Sequence, residues 1–312
     1  MVRVGVIDCG TNSIRLLVAD VSGDALVDVW REMRIVRLGQ DVDATGRLAP
    51  EALERTRVAL ADYTAIARSA GVQRVRMVAT SAIRDATNRD DFATMVRRTL
   101  GTDAEVITGD EEARLSFTGA VGGLDPAGGP VVVVDVGGGS TEVVLGAWDG
   151  GRADVTAARS VNVGCVRITE RYLHSDPATP EEVSAARWFA AQTLREAFAE
   201  VPVGQARTWV GVAGTITTLS AIAQRLPAYD SERIHQSRLS LDHVRGTAEY
   251  LLASTHRQRA ANPVIHPGRV DVIAGGALIV WVLAEELHTR AGITELVVSE
   301  HDILDGIALG LA

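Results

Sequence analysis

The sequence predicts an α/β fold built from two duplicated domains, and three observations carry that expectation. Strand-like and helix-like segments alternate along the chain. A strand, glycine turn and strand recur at an offset of about 127 residues, from Val6 to Val133, which points to duplication of a domain. At 312 residues and 46% apolar content, the chain also exceeds the size at which one hydrophobic core usually stops growing.

The elements follow in order. Met1 leads directly into Arg3-Val4-Gly5-Val6-Ile7, a strand, and the first hairpin runs Val6-Ile7-Asp8-Cys9-Gly10-Thr11-Asn12-Ser13-Ile14-Arg15-Leu16-Leu17-Val18. It aligns without a gap on Val133-Val134-Asp135-Val136-Gly137-Gly138-Gly139-Ser140-Thr141-Glu142-Val143-Val144-Leu145, so that Asp, Gly and Ser coincide. Chance likeness of two glycine turns is the alternative. Between the hairpins, Ala25–Leu38 reads as a strand and Pro50–Ser69 as a helix with Leu53, Leu60 and Ile66 among its apolar positions. Arg74–Thr80 is a strand, Asn88–Leu100 a helix, Ala104–Ile107 a short strand and Glu111–Gly119 a helix. The Gly- and Pro-dense stretch 122–130 reads as the linker, giving domains 1–124 and 125–312. Beyond it come strands at Ala153–Val161 and Thr208–Val212, and helices at Pro180–Ala199, Thr215–Leu226, Leu241–Ser254 and Asp271–Leu287. The last segment, Ile303–Leu311, reads as an amphipathic helix able to pack back on either domain, the first included.

Composition excludes several classes. The longest apolar runs, Val131–Val134 and Ala277–Ala284, fall far short of the roughly 20 residues a membrane helix needs. The N-terminus lacks the layout of a secretory signal, so a cytoplasmic, membrane-free location is expected. Two cysteines, Cys9 and Cys165, support no disulfide framework and read as small buried residues, and the seven histidines show no zinc-site spacing. All 31 basic residues are arginine, which rules out a Schiff-base lysine and the P-loop lysine. A net charge of −9 argues against broad nucleic-acid binding. A polyanionic ligand would need backbone amides, a few arginines or a carboxylate-held cation.

Such help is present. Asp8-Cys9-Gly10-Thr11-Asn12-Ser13 offers a glycine turn with hydroxyl and amide donors, and Gly137, Gly138, Gly139, Ser140 and Thr141 repeat it; each reads as an anion nest or as an ordinary hairpin turn. Asp8, Asp135 and Glu142 are candidate ligands of Mg²⁺, although an Asp in such a turn also accepts local hydrogen bonds. Thr108-Gly109-Asp110-Glu111 fits a capping box, which explains Glu111 but not Glu112. Glu112 is either a base for an attacking water or a surface acid favoured by the helix dipole. Arg84 ends Thr80-Ser81-Ala82-Ile83-Arg84 and either grips a phosphate or joins a surface ion pair. Gly211-Val212-Ala213-Gly214-Thr215 closes a strand and opens a helix, presenting Gly214 and Thr215 to an anion or nucleotide. The dipeptide His301-Asp302 lacks the second histidine cluster of a His-Asp metallohydrolase.

Together these stretches, with Gly164-Cys165-Val166-Arg167 and Arg269-Val270-Asp271, resemble the exopolyphosphatase and guanosine pentaphosphate phosphohydrolase (Ppx/GppA) family of the actin-like ATPase superfamily over essentially the full length. The resemblance implies two actin-like (ribonuclease H-like) domains with a cleft between them. It implies a hydrolase that removes the terminal phosphate of inorganic polyphosphate, with Glu112 as base, Arg84 on substrate phosphate, the glycine turns on phosphates, and Asp8, Asp135 and Glu142 organising Mg²⁺. Mn²⁺ is a substitute for that ion, and a monovalent cation such as K⁺ a further cofactor candidate. Guanosine pentaphosphate or tetraphosphate, which would connect the protein to the stringent response, and ADP or ATP are further ligand candidates. Longer relatives carry additional C-terminal domains, so a short two-domain form favouring short chains is expected, and a homodimer fits the size.

Overall fold

A computed structural model describes residues 1–311, and the chain divides into two compact units: Met1–Gly119 with the segment from Ile303, and Ala120–Asp302. In the first unit β1 (Val2–Cys9), β2 (Ser13–Ser22) and β3 (Ala25–Ile35) form an antiparallel meander. A short α1 (Val42–Thr45) and the long α2 (Pro50–Ser69), started by Pro50 in its first turn, lead to β4 (Arg74–Ala79), which lies parallel to β1. Then come α3 (Ser81–Asp85), α4 (Arg89–Leu100), the two-residue β5 (Glu105–Val106) and α5 (Gly109–Val121). The sheet order is β3-β2-β1-β4-β5.

Alternation along β1 divides the core of this unit. Ile7 and Cys9 join Ile14, Leu16 and Val18 under α2 and α4, where Leu60, Tyr63 and Phe92 fill the layer. Val4 and Val6 point the other way, with Leu17, Ala19 and Val21.

The second unit begins with β6 (Val131–Val136), β7 (Thr141–Trp148) and β8 (Ala153–Val161), again an antiparallel meander. After α6 (Cys165–Tyr172) and α7 (Pro180–Glu200), β9 (Thr208–Val212) adds parallel to β6. The chain continues through α8 (Ala213–Ala223), α9 (Ser231–Ile234), β10 (Arg238–Ser240), α10 (Leu241–Ala253), α11 (His256–Ala260), α12 (Ile273–Ala291) and β11 (Glu295–Val298). The order is β10-β11-β9-β6-β7-β8, and α12, apolar on nearly every side from Ile273 to Ala284, lies at the centre of the helical layer. Beyond β11, α13 (Ile303–Leu309) returns to the first unit and covers the open face of β1 and β2 with Ile303, Leu304, Ile307 and Ala308. A Cβ on Gly306 would come within 2.0 Å of the Leu115 carbonyl, so glycine allows α13 to seat on α5.

The two sheets are copies. The meander, the parallel strand beside its first member and a further parallel strand recur in the same order. Asp8 pairs with Arg15 across the first hairpin, and Asp135 with Glu142 at the matching place in the second. Even the register irregularity recurs, between Val18 and Ala19 and between Leu145 and Gly146. The α/β duplication expected from the sequence is therefore present.

Some boundaries differ from expectation. Helix α5 starts at Gly109, because Glu112 N–H already bonds the Thr108 carbonyl, and α8 starts at Ala213. Helix α12 starts at Ile273 because Pro267–Arg269 forms a separate 3₁₀ turn, and it runs on until Gly292 adopts a left-handed conformation. Among the described residues, no helix is long and apolar enough to cross a membrane.

Candidate active site

In the second hairpin, Gly137 N–H closes the turn onto Ser140 O at 3.0 Å. Helix α6 holds the turn from behind. The amides of Cys165 and Val166 donate to Gly137 O and Gly138 O at 2.9 Å each, Arg167 N donates to Gly138 O at 3.3 Å, and Arg167 Nε donates to Gly139 O at 2.9 Å. A Cβ on Gly164 would fall 2.3 Å from Gly138 O, so this approach requires glycine.

The first hairpin repeats the closure, with Gly10 N–H on Ser13 O at 2.9 Å. Here the support is a loop: Gly39 N donates to Thr11 O at 2.7 Å, and the amides of Val36 and Arg37 donate to Asn12 O at 3.0 and 2.9 Å. A Cβ on Gly39 would lie 2.3 Å from Thr11 Cγ2. In both turns the first glycine, Gly10 or Gly137, thus commits its own amide to the turn.

The acids differ between the copies. Asp8 Oδ2 accepts from Arg15 Nη2 at 2.7 Å and Nε at 3.1 Å, a largely buried ion pair. Asp135 faces Glu142, which is 1% exposed and accepts from Ser160 Oγ at 2.6 Å. Carboxylates directly opposite on neighbouring strands repel one another, which a cation beside them would relieve. The pair fits Mg²⁺, an ion that takes one or two carboxylates and completes its shell with water and phosphate oxygens. Among the described residues there is no cluster of three metal-ligating His, Cys, Asp or Glu.

Glu112 sits in the first turn of α5, buried, with Oε2 accepting from Arg84 Nη1 at 2.8 Å. Arg84 Nη1 also donates to Ile107 O at 3.0 Å. Arg84 is therefore in an ion pair, and its partner is the acid singled out as a base. Neighbouring Glu111 forms only half of the expected capping box. Its amide bonds Thr108 Oγ1 at 3.1 Å, but its carboxylate turns to Arg76 at 2.7 Å.

Gly214 and Thr215 open α8 beside β6, since Asp135 pairs with Val212. Ala213 adopts φ 71°, an uncommon conformation for a residue with a Cβ. The Arg269 guanidinium lies against Gly214, where an added Cβ would meet Nη2 at 2.1 Å. Cys165 is buried nearby; burial pushes its thiol up to about 11, against the opposing influence of Arg269 and Thr215. Burial and then the charge of Asp8 push the Cys9 thiol up as well, so neither cysteine is a nucleophile at neutral pH. Sequence reasoning missed the supporting residues Gly39, Gly164 and Arg167; only isolated glycines and a four-residue motif marked them.

A duplicated two-sheet α/β fold of the actin-like type, each copy carrying an acid at the end of its first strand and a braced glycine turn, defines the class. The sequence profile of the Ppx/GppA phosphatase family matches residues 17–310, and the chain belongs to that family. It is 57% identical to Exopolyphosphatase 2 of Mycobacterium tuberculosis, over 100% of this chain and 99% of that one. Among solved structures, an exopolyphosphatase-like protein matches at 43% identity and TM-score 0.95, covering 100% of this chain and 98% of the other. The Ppx/GppA family member of Aquifex aeolicus matches at 31% identity and TM-score 0.79, covering 99% and 97%.

Proposed function

We propose that this protein is an exopolyphosphatase, hydrolysing the terminal phosphoanhydride of inorganic polyphosphate to release orthophosphate. The observation that carries the reading is the end-to-end similarity to Exopolyphosphatase 2. The half-buried Arg84–Glu112 pair and the two braced turns support it chemically.

Glu112 aligns water for in-line attack and accepts its proton as the new P–O bond forms; the bridging oxygen departs with the electron pair of the broken P–O bond. Arg84 fixes Oε2 of Glu112, which sets the direction of Oε1, and its remaining guanidinium donors suit a phosphoryl oxygen. Turn amides, with Gly214 and Thr215, bind phosphates of the chain. Asp135 and Glu142 would hold Mg²⁺, with Mn²⁺ as a substitute; once bound, the ion would supply neutralisation of phosphate charge. Asp8 is the third acid proposed for the ion, with its Oδ2 held by the Arg15 guanidinium.

Orthophosphate release from short and long polyphosphate with Mg²⁺, measured beside guanosine pentaphosphate and ATP, tests the reading. Glu112→Gln is expected to lower turnover about 10²–10⁴-fold. Wild-type turnover in that variant would remove Glu112 from its role. Release confined to guanosine pentaphosphate, or binding of polyphosphate without release, would replace the exopolyphosphatase reading by an alarmone hydrolase or a sensor.

A further inference from the structure

The carbonyls of Gly137, Gly138 and Gly139 all accept hydrogen bonds from α6. In a trans peptide the carbonyl of one residue lies antiparallel to the N–H of the next. The three captured carbonyls therefore turn the amides of Gly138, Gly139 and Ser140 to the side of the turn away from α6. Three successive N–H groups presented together make an anion nest.

The helix backbone serves only two of the three peptide planes, through the amides of Cys165, Val166 and Arg167. The third plane, between Gly139 and Ser140, is held by Arg167 Nε at 2.9 Å, in a side chain that is buried although charged. In the first hairpin, the backbone amides of Gly39, Val36 and Arg37 hold the carbonyls of Thr11 and Asn12. We propose that Arg167 is a positioning residue: through Gly139 O it aims the Ser140 amide, extending the second nest from two donors to three. The proposal rests on the reading that this turn binds substrate phosphate.

Met and Gln separate the donor from mere packing. Gln Nε2 is as many bonds from Cα as Arg Nε, whereas Met matches that length without a donor. Calorimetry of the full chain with tripolyphosphate is expected to show about ten-fold weaker binding for Arg167→Met, the scale of one lost hydrogen bond to a charged group, and near-wild-type binding for Arg167→Gln. KM for phosphate release should move in parallel, with kcat changing less. A Gln variant as weak as Met, or a Met variant that melts earlier but binds tripolyphosphate as wild type does, overturns the proposal. Should Arg167→Met fail to fold, amide chemical shifts of the wild type decide. Tripolyphosphate should move Gly138, Gly139 and Ser140 more than Gly137, and equal or absent shifts overturn the assignment. If no protein, wild type included, hydrolyses polyphosphate while the Met–Gln difference in binding persists, the exopolyphosphatase reading fails and the positioning role stands. A wild type that binds no tripolyphosphate removes both.

Discussion

At Gly164 a single hydrogen atom in place of a side chain decides whether α6 can reach the glycine turn. Gly164→Ala should destabilise the second unit by about 1–3 kcal/mol, the usual cost of overpacking, and weaken polyphosphate binding; thermal melting and calorimetry would measure the two effects. Gly151→Ala, whose new Cβ would meet only Asp149 Oδ1 at 3.9 Å, should leave both unchanged. The acids and glycines of the turns were legible in the sequence because strand, turn and acid lie within a dozen residues of one another. The partner of Glu112 was not: Arg84 lies on a different helix, and nothing local says that one guanidinium bridges Glu112 and Ile107 O. Arg167 was hidden for the same reason. In the sequence it stands in the motif Gly164-Cys165-Val166-Arg167 with no role attached, and only packing brings Nε onto Gly139.

Elements with strong local punctuation were readable almost to the residue. Pro50 opens α2 and Pro180 opens α7, where Thr179 and Glu182 complete a capping box. Short elements such as α6, α9 and β11 escaped because four to eight residues do not establish a period. The cap on α7 has a pH signature. The Thr179 amide above all, then the Ser175 hydroxyl and the amides of His174 and Ser175, hold the Glu182 carboxyl below its usual range. Its folded value is thus lower than its unfolded one. The stabilisation is complete above the ordinary carboxylate range and is lost as pH falls through the depressed value. The melting difference between wild type and Glu182→Gln should therefore shrink on acidification, and a gap independent of pH would contradict this account.

At the scale of the whole molecule, the chain leaves its first unit, builds Ala120–Asp302, and comes back. Asp305 on α13 anchors that return: it is buried and accepts from Arg31 Nη2 at 2.6 Å and Nη1 at 3.2 Å. Asp305→Ala should cost about 1.5–3 kcal/mol, the scale of hydrogen bonds to a charged group, because Arg31 is solvent-accessible and keeps Asp28 as a partner. Denaturant unfolding followed at Trp30, on β3, would record it. Deleting the chain from Ile303 onward should loosen Met1–Gly119 while Ala120–Asp302 keeps its melting transition. The sequence allowed a returning helix without showing which sheet needed it, since the bare face of β1 and β2 becomes visible only once the strands are paired. Order of synthesis then matters. As the chain leaves the ribosome, Val4, Val6, Leu17 and Val21 emerge first, but the helix that shields them emerges after the entire second unit. The first half of the protein therefore spends most of its translation unfinished, a natural client for a chaperone that binds exposed apolar strands.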